Sequence, residues 1–377
     1  MYFCSMLFSQ VIGQKDLKTH LINEINHDKV GHAQMFIGKP GYGGLPLALA
    51  FVQYLFCENK KKSDSCGECI SCCKVQKLQH PDLSFSFPSV QQISKVSNKL
   101  LLEWREQVLE TPYFDLNTWI KKIDTKERRP IISTDEGAEI IRKLALKSYE
   151  GGHKVLLMWM PEEMNTACAN KLLKILEEPP KKTVFILVAE SSEKILQTII
   201  SRTQIVMVPR IKTDPMSAFL QSEKKVTSGI TESISARVDG DLIEAVELLI
   251  GNEGLDENKT LFVGLMRVCY KKNVLGMMLW AESVAATSNE HQKVFLKYAL
   301  HMFRQSMLRN YTKDHLTKVS KEEDEFLQNF AKFITGNNIV DFMKTFNNGH
   351  YHLERNANSK ILFTNLCFQV MRYIHMA

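Results

Sequence analysis

Apolar residues along this chain fall into two regimes. Up to about residue 209, short apolar runs alternate with helix-periodic stretches, and beyond it only the helical period remains. The first run, His32-Ala33-Gln34-Met35-Phe36-Ile37, leads into the turn-rich Gly38-Lys39-Pro40-Gly41-Tyr42-Gly43-Gly44, after which Leu45 to Cys57 turns apolar and helical. Two further runs, Lys154 to Met158 and Thr183 to Val188, flank a helical stretch from Asn165 to Glu178. The Pro179-Pro180 pair ends that helix, because proline carries no amide hydrogen to continue it. Continuous apolar runs alternating with helices predict a parallel sheet covered on both faces.

Between Phe85 and Thr134 the period blurs, with Trp104, Tyr113, Phe114 and Trp119 interleaved with charges and no obvious strand. The expectation is a largely helical insertion, residues 85–134, whose aromatics serve packing; a binding surface is the alternative. After Pro209 the chain reads as all helical to Ala377, with Asp239-Gly240 and Gly276 among the few breaks. Asn252 to Asn258 and Lys318 to Asp324 read as solvated links.

A length of 377 residues exceeds one core and suggests two or three domains. Hydrophobic residues at 44% and charged residues at 24% are the usage of an ordinary globular protein. No apolar run reaches the ~20 residues of a membrane helix, and Met1 to Gln10 lacks the parts of a signal peptide, so a cytoplasmic location is expected. The net charge of +6 favours nucleic acid only weakly over plain solubility.

Cysteine changes the picture. Of nine, five fall between Cys57 and Cys73, whereas Cys4, Cys168, Cys269 and Cys367 stand alone and read as small buried hydrophobes. Cys57, Cys66, Cys69 and Cys72 are spaced C-x8-C-x2-C-x2-C, with Gly67 inside the tight turn. A C-x2-C step brings two thiolates to one tetrahedral ion, and four such ligands close the site, which predicts structural zinc. Iron–sulfur ligation uses similar triplets but usually ends on a cysteine followed by proline, which is absent here; a dithiol redox centre needs a single C-x2-C. Cys73 is a fifth thiol that could replace Cys72, and a bystander role is expected.

Gly38 to Leu45 has the position and glycines of a phosphate loop, G-x4-G-K-[ST], but Gly44 and Leu45 stand where lysine and hydroxyl should be. Glycine carries no charge and leucine cannot ligate magnesium. The strand at Lys154 runs into Trp159-Met160-Pro161, so the Asp-Glu pair that would hold magnesium and activate water is missing too. Glu162 and Glu163 fall past the strand end. Gly38, Gly43, Gly44 and Leu45 therefore mark a degenerate loop, with no productive ATP binding expected. Ile199-Ile200-Ser201-Arg202-Thr203-Gln204 places an arginine just before an apolar run; alone it reads as a surface residue, yet a guanidinium fork suits a transferring phosphoryl group on a neighbour.

Together these residues resemble a family: the delta' type of subunit of the bacterial DNA polymerase III clamp loader, in the AAA+ group. The resemblance rests on Phe8 to Gln14, His32-Ala33, His80-Pro81-Asp82 after the cysteines, and above all the string from Met164 to Pro180. Ser201-Arg202-Thr203 keeps the arginine of the family's Ser-Arg-Cys and not its cysteine. The resemblance implies an α/β RecA-like AAA+ domain over residues 1–210 with an inserted zinc module at about 57–73, a small helical lid over 211–252, and a helical collar over 253–377. In the lid, Ile243 stands where active relatives keep a second sensing arginine, and Glu354 to Asn358 with Ile361 to Val370 resembles the last collar helix. It further implies a non-hydrolysing subunit that supplies Arg202 in trans, with gamma/tau motor and delta subunits, the sliding clamp and primer-template DNA as partners. The rival reading is a divergent ATP-hydrolysing motor using Lys39 and Glu162; a stand-alone zinc-dependent nucleic-acid binder, with only Lys60 to Lys62 and Lys74 near the cysteines, ranks last. Met1 to Met6 precedes the family's usual start, as an extension or a misplaced start codon, and the 85–134 stretch is longer than usual.

Overall fold

The three apolar runs become the middle of a five-stranded sheet in the computed structural model, ordered β2-β3-β4-β1-β5 with every pairing parallel. Its strands are β1 (Ala33–Ile37), β2 (Leu83–Ser86), β3 (Lys154–Trp159), β4 (Thr183–Ala189) and β5 (Gln204–Met207). Residues 6–224, 231, 234–235, 238–250, 255–312, 319, 321–355 and 357–376 are described. The extension read at Met1 to Met6 (apart from Met6), Cys4, and parts of the two links and of the Glu354 to Asn358 stretch lie outside the described residues.

Successive residues of a strand point to opposite faces, so a strand covered twice must be apolar throughout. Val155, Leu157 and Trp159 of β3 and Val184, Ile186 and Val188 of β4 enter one core. Leu156, Met158, Phe185 and Leu187 enter the other, with Ala33, Met35 and Ile37 of β1. The first helices in chain order are α1 (Lys15–Asn26), α2 (Gly44–Phe56), α3 (Ile70–Gln76), α4 (Leu101–Glu110), α5 (Leu116–Ile123), α6 (Thr134–Ala145) and α7 (Thr166–Glu177). Helices α6 and α7 cover this second face through Ile140, Leu144, Leu172 and Leu176. The Asn165 side chain caps α7, accepting from the Cys168 amide at 2.7 Å.

Two strands were not legible as such. β2 is a sheet edge that claims Phe85, so the insertion begins after Ser86 rather than at Phe85. β5 is the opposite edge, where Ile205 and Met207 are exposed (48% and 64%) and only Val206 of the strand is buried. An edge strand with one covered position lacks the continuous apolar signature.

The insertion is helical, with Leu101–Glu110 and Leu116–Ile123, and its aromatics are packed inward. Trp104 stacks on Phe87 at 4.4 Å and meets Trp119 at 5.5 Å and Trp159 of β3 at 5.3 Å between ring centroids. The Trp119 indole donates to the Pro88 carbonyl at 2.9 Å. Each such ring buries roughly 150–250 Å², which makes the insertion part of the first core.

The chain divides into two compact units, Met1–Ser228 with Val238–Glu244, and Gly229–Arg237 with Ala245–Ala377. The second unit is helical among the described residues and is built around Phe262, Phe303, Phe342 and Phe346, with Phe303 4.5 Å from Phe342. Cys269 and Cys367 are buried there, as Cys168 is in the first unit. Among the described residues no helix is long and apolar enough to cross a membrane.

Candidate functional site

The cysteine cluster grows from the end of helix α2 (Gly44–Phe56), where Cys57 turns the chain out of the helix. Gly67 adopts φ +79°, a left-handed turn between Cys66 and Cys69 that glycine takes without strain. Cys69 then caps helix α3 (Ile70–Gln76), its sulfur accepting from the Cys72 amide at 3.4 Å. The sulfurs of Cys57, Cys66, Cys69 and Cys72 all lie within 4.8 Å of one another. Cys57 and Cys66 are 3.6 Å apart and Cys66 and Cys72 3.8 Å apart. A tetrahedral ion with sulfur ligands at ~2.3 Å requires edges of about 3.8 Å, so the donor set has the chemistry and close to the size that zinc needs.

Backbone amides prepare the sulfurs for charge. Cys66 accepts from the amides of Glu68 at 3.5 Å and Cys69 at 3.3 Å, and Cys57 accepts from Cys66 at 3.3 Å. The Glu68 amide is the leading cause that lowers the Cys66 thiol to about 6. Burial instead pushes the Cys57 and Cys72 thiols up. Sulfurs with opposed preferences in one cluster become uniformly ionised when a cation supplies the missing charge. Cys73 is exposed, and its thiol turns away to the Glu68 carbonyl at 3.5 Å.

Residues that spacing could not reveal hold the module in place. The Asp64 carboxylate accepts from the amides of Phe8 at 3.0 Å and Ser9 at 2.9 Å. His80 stacks on Phe56 at 4.1 Å and contacts Glu150 at 3.0 Å, and Glu150 also pairs with Lys74 of α3.

The glycine loop stands beyond the carboxyl ends of β1 and β4, where parallel sheets bind ligands and a helix N-terminus favours phosphate. The Gly38 amide bonds the Ala189 carbonyl at 3.1 Å, Pro40–Tyr42 makes one tight turn, and Gly43 at φ +90° starts α2. Leu45 is buried. Two side chains pack directly against the loop glycines. A Cβ on Gly43 would lie 3.0 Å from the Tyr113 ring, and the Tyr113 hydroxyl accepts from the Ile12 amide at 3.0 Å. A Cβ on Gly41 would collide with the Asp241 carboxylate, which accepts from the amides of Ile243 at 3.1 Å and Glu244 at 3.3 Å. Burial pushes the Tyr113 phenol above its ordinary range, so it stays neutral. Neither Tyr113 nor Asp241 carries a sequence signal for this place, since both are distant in sequence from the glycines they touch.

The carboxylates after β3 are engaged as well. Glu163 is buried and holds Arg129 through three contacts, at 3.2, 3.4 and 3.0 Å. Glu162 accepts from the Glu190 amide at 2.7 Å, and its second oxygen is buried without a partner among the described residues. Burial raises Glu162 to about 7. Glu190 is raised by burial first and by Asp115 next. Lys39 is exposed. It acts on Glu190 together with Lys194, and on Tyr42 together with Arg210.

The raised Glu162 value carries a sign. The folded chain holds this proton more tightly than the unfolded chain, so stability declines as pH rises from the ordinary glutamate range toward about 7. Glu162→Gln is expected to stabilise the chain by ~1–2 kcal/mol at alkaline pH and by little at acid pH, read from denaturant midpoints. Equal gains at both ends would remove Glu162 as the titrating group.

Arg202 lies elsewhere. It follows the short helix Gln197–Ile200 and precedes β5, whose Gln204 pairs with Gln34 near the start of β1, whereas the loop follows Ile37 at its end. A strand of this length rises roughly 15 Å, so Arg202, before β5, lies at the amino ends of the strands and the phosphate loop beyond their carboxyl ends. Its side chain is 33% exposed and pairs with Glu177. The four cysteines and the loop glycines thus form two sites, and Arg202 belongs to neither.

A family described as "DNA polymerase III, delta subunit" matches residues 13–212. DNA polymerase III subunit delta' of Bacillus subtilis is 27% identical over 255 residues, 67% of this chain and 64% of that protein. Subunit tau of the same organism is 26% identical over 247 residues, 64% of this chain and 37% of that protein. The chain thus spans less than two thirds of the length of these curated relatives. Among solved structures, a DNA polymerase III gamma subunit-related protein of Thermotoga maritima is similar at a TM-score of 0.40 and 16% identity, covering 95% of this chain and all of that one.

Proposed function

The chain belongs to the DNA polymerase III delta-subunit family, being of the delta' type, and from that premise we propose that it is a non-hydrolysing clamp-loader subunit. It binds no ATP productively and completes an adjacent motor subunit's ATP site with Arg202. Its partners are gamma/tau motor subunits and a delta subunit in a pentamer, the sliding clamp, and primer-template DNA through the assembly, all in the cytoplasm. The observation that carries the reading is the separation of parts: Tyr113 and Asp241 pack directly against the glycines of the phosphate loop, while Arg202 stands at the opposite end of the strands, ahead of exposed Ile205 and Met207. An arginine so far from its own loop serves a neighbour.

Residues 211–252 act as the lid and 253–377 as the collar. Leu275, Met278 and Leu279 are exposed at helical spacing on Val274–Ala285, a face that suits packing against another subunit's helices. Zinc bound by Cys57, Cys66, Cys69 and Cys72 is structural, because four thiolates leave no open position for water or substrate.

The likeness to a tau subunit favours a second reading, a divergent motor that hydrolyses ATP with Lys39 and Glu162. One experiment separates the two: ATP hydrolysis by the purified chain alone, and in a mixture with motor and delta subunits, clamp and primed DNA. The expected result is no turnover and no retained nucleotide alone, with full DNA-stimulated turnover in the mixture. Robust turnover alone would overturn the reading and make Lys39 and Glu162 the residues to test.

A further inference from the structure

Arg202 does not offer solvent a free fork. A guanidinium has five N–H donors. Nε donates to Glu177 Oε1 at 2.8 Å, and Nη2 donates to the same oxygen. Nη1 donates to the Thr198 carbonyl at 2.8 Å and to the Ser201 hydroxyl at 3.3 Å. Four of the five are thereby committed, and a single Nη2 hydrogen remains. Bidentate recognition of a phosphate needs two parallel N–H groups, so this arginine must leave Glu177 before it can grip one.

Glu177 is the last residue of α7, at the negative end of the helix dipole, where a carboxylate is disfavoured unless a cation offsets it. Arg202 is that cation.

We propose that Glu177 is a positioning residue that latches Arg202 within its own chain and withholds it from the neighbouring subunit until that neighbour presents a triphosphate. The proposal rests on the finger reading above and adds how the finger is held between cycles. A nucleotide triphosphate carries more negative charge than one carboxylate, so it wins the guanidinium when the two subunits close. With the subunits apart, Glu177 wins. The pair is partly exposed, at 33% for Arg202 and 47% for Glu177, so dissolved salt weakens the latch.

The test uses the reconstituted assembly with Glu177→Gln, which keeps the shape and removes the charge. Without clamp or DNA, ATP turnover is expected to rise roughly 3–5-fold, the scale of a partly exposed ion pair. The rise should be in kcat, with KM for ATP unchanged and the clamp- and DNA-stimulated maximum unchanged. Raising salt from about 0.05 M to about 0.3 M should lift the basal rate of the unaltered assembly toward that of Glu177→Gln, because screening and substitution break the same contact. A purely structural role for Glu177 would not give that convergence. The double variant Glu177→Gln, Arg202→Ala should lose the gain. An unchanged or lowered basal rate in Glu177→Gln overturns the latch. If Arg202→Ala alone leaves stimulated turnover intact, the finger reading itself fails, an outcome distinct from failure of the latch.

Discussion

Replacement of Arg202 by alanine is expected, on the proposed finger role, to lower turnover at one ATP site of the reconstituted assembly about a thousandfold or more, the scale of a finger arginine. The loss should be visible chiefly as failure to load the clamp onto primed DNA. Total hydrolysis falls only by the share of that one site, whereas a loading cycle that needs every site stops. Folding is not the cause to be feared. Arg202 and Glu177 are both partly exposed, and such pairs contribute ~0–1 kcal/mol, so the melting midpoint of the isolated chain should move by a few degrees at most. Arg202→Lys should recover little of the activity, because an ammonium lacks the planar fork that meets two phosphate oxygens at once. The measurement is clamp loading and ATP hydrolysis with unaltered motor and delta subunits. Full activity of Arg202→Ala would remove the finger role and leave the chain a structural member of the ring.

What the sequence revealed follows from how local each signal is. β1, β3 and β4 are buried on both faces, and unbroken apolar runs announce them. β2, Leu-Ser-Phe-Ser, is a mostly buried edge whose two serines break the apolar run, and β5, Gln-Ile-Val-Met, is an edge with one buried position, so they read as loop or featureless apolar run. The cysteine cluster was legible because three of its four ligands sit within one turn-and-helix segment, so spacing nearly determines geometry. The missing lysine and hydroxyl of the phosphate loop were legible for the same reason. What packs against the loop was not: Tyr113 reaches Gly43 from the insertion, and Asp241 reaches Gly41 from beyond the sheet. Long-range contacts of this kind leave no periodicity. The aromatics of the insertion showed only that something must bury them, and the structure adds that Tyr113 does so over the glycines.

These parts share a logic. On the proposed reading, a loop that binds no phosphate still exposes the amides at a helix N-terminus, which cost stability if left unsatisfied. Tyr113 packs beside Gly43, and its hydroxyl takes up the Ile12 amide. On that reading side chains stand where a ligand would, and the unit needs no nucleotide-driven rearrangement of its own. A rigid body is what an arginine delivered in trans requires, since a finger misplaced by about 1 Å can lose about a hundredfold in rate.

The zinc module supplies the second large expected effect. The purified chain should contain one zinc per molecule by atomic absorption, and Cys72→Ser should lose it while Cys73→Ser keeps it. The reason is geometric: the Cys72 sulfur lies 3.8 Å from that of Cys66 inside the cluster, whereas the Cys73 thiol faces the Glu68 carbonyl outside it. Removing the metal leaves sulfurs in one place with opposed protonation, Cys66 lowered to about 6 and Cys72 pushed up by burial. Because metal binding free energy is folding free energy at such a site, its loss should cost several kcal/mol and lower the melting midpoint of the unit that carries it by about 10 °C. The damage should spread along named contacts, through Asp64 to the amides of Phe8 and Ser9 and through Lys74 and His80 to Glu150. Iron with visible absorbance in place of zinc would make the cluster a redox centre. Equal zinc retention by both serine variants would mean that Cys73 can swing in to replace Cys72.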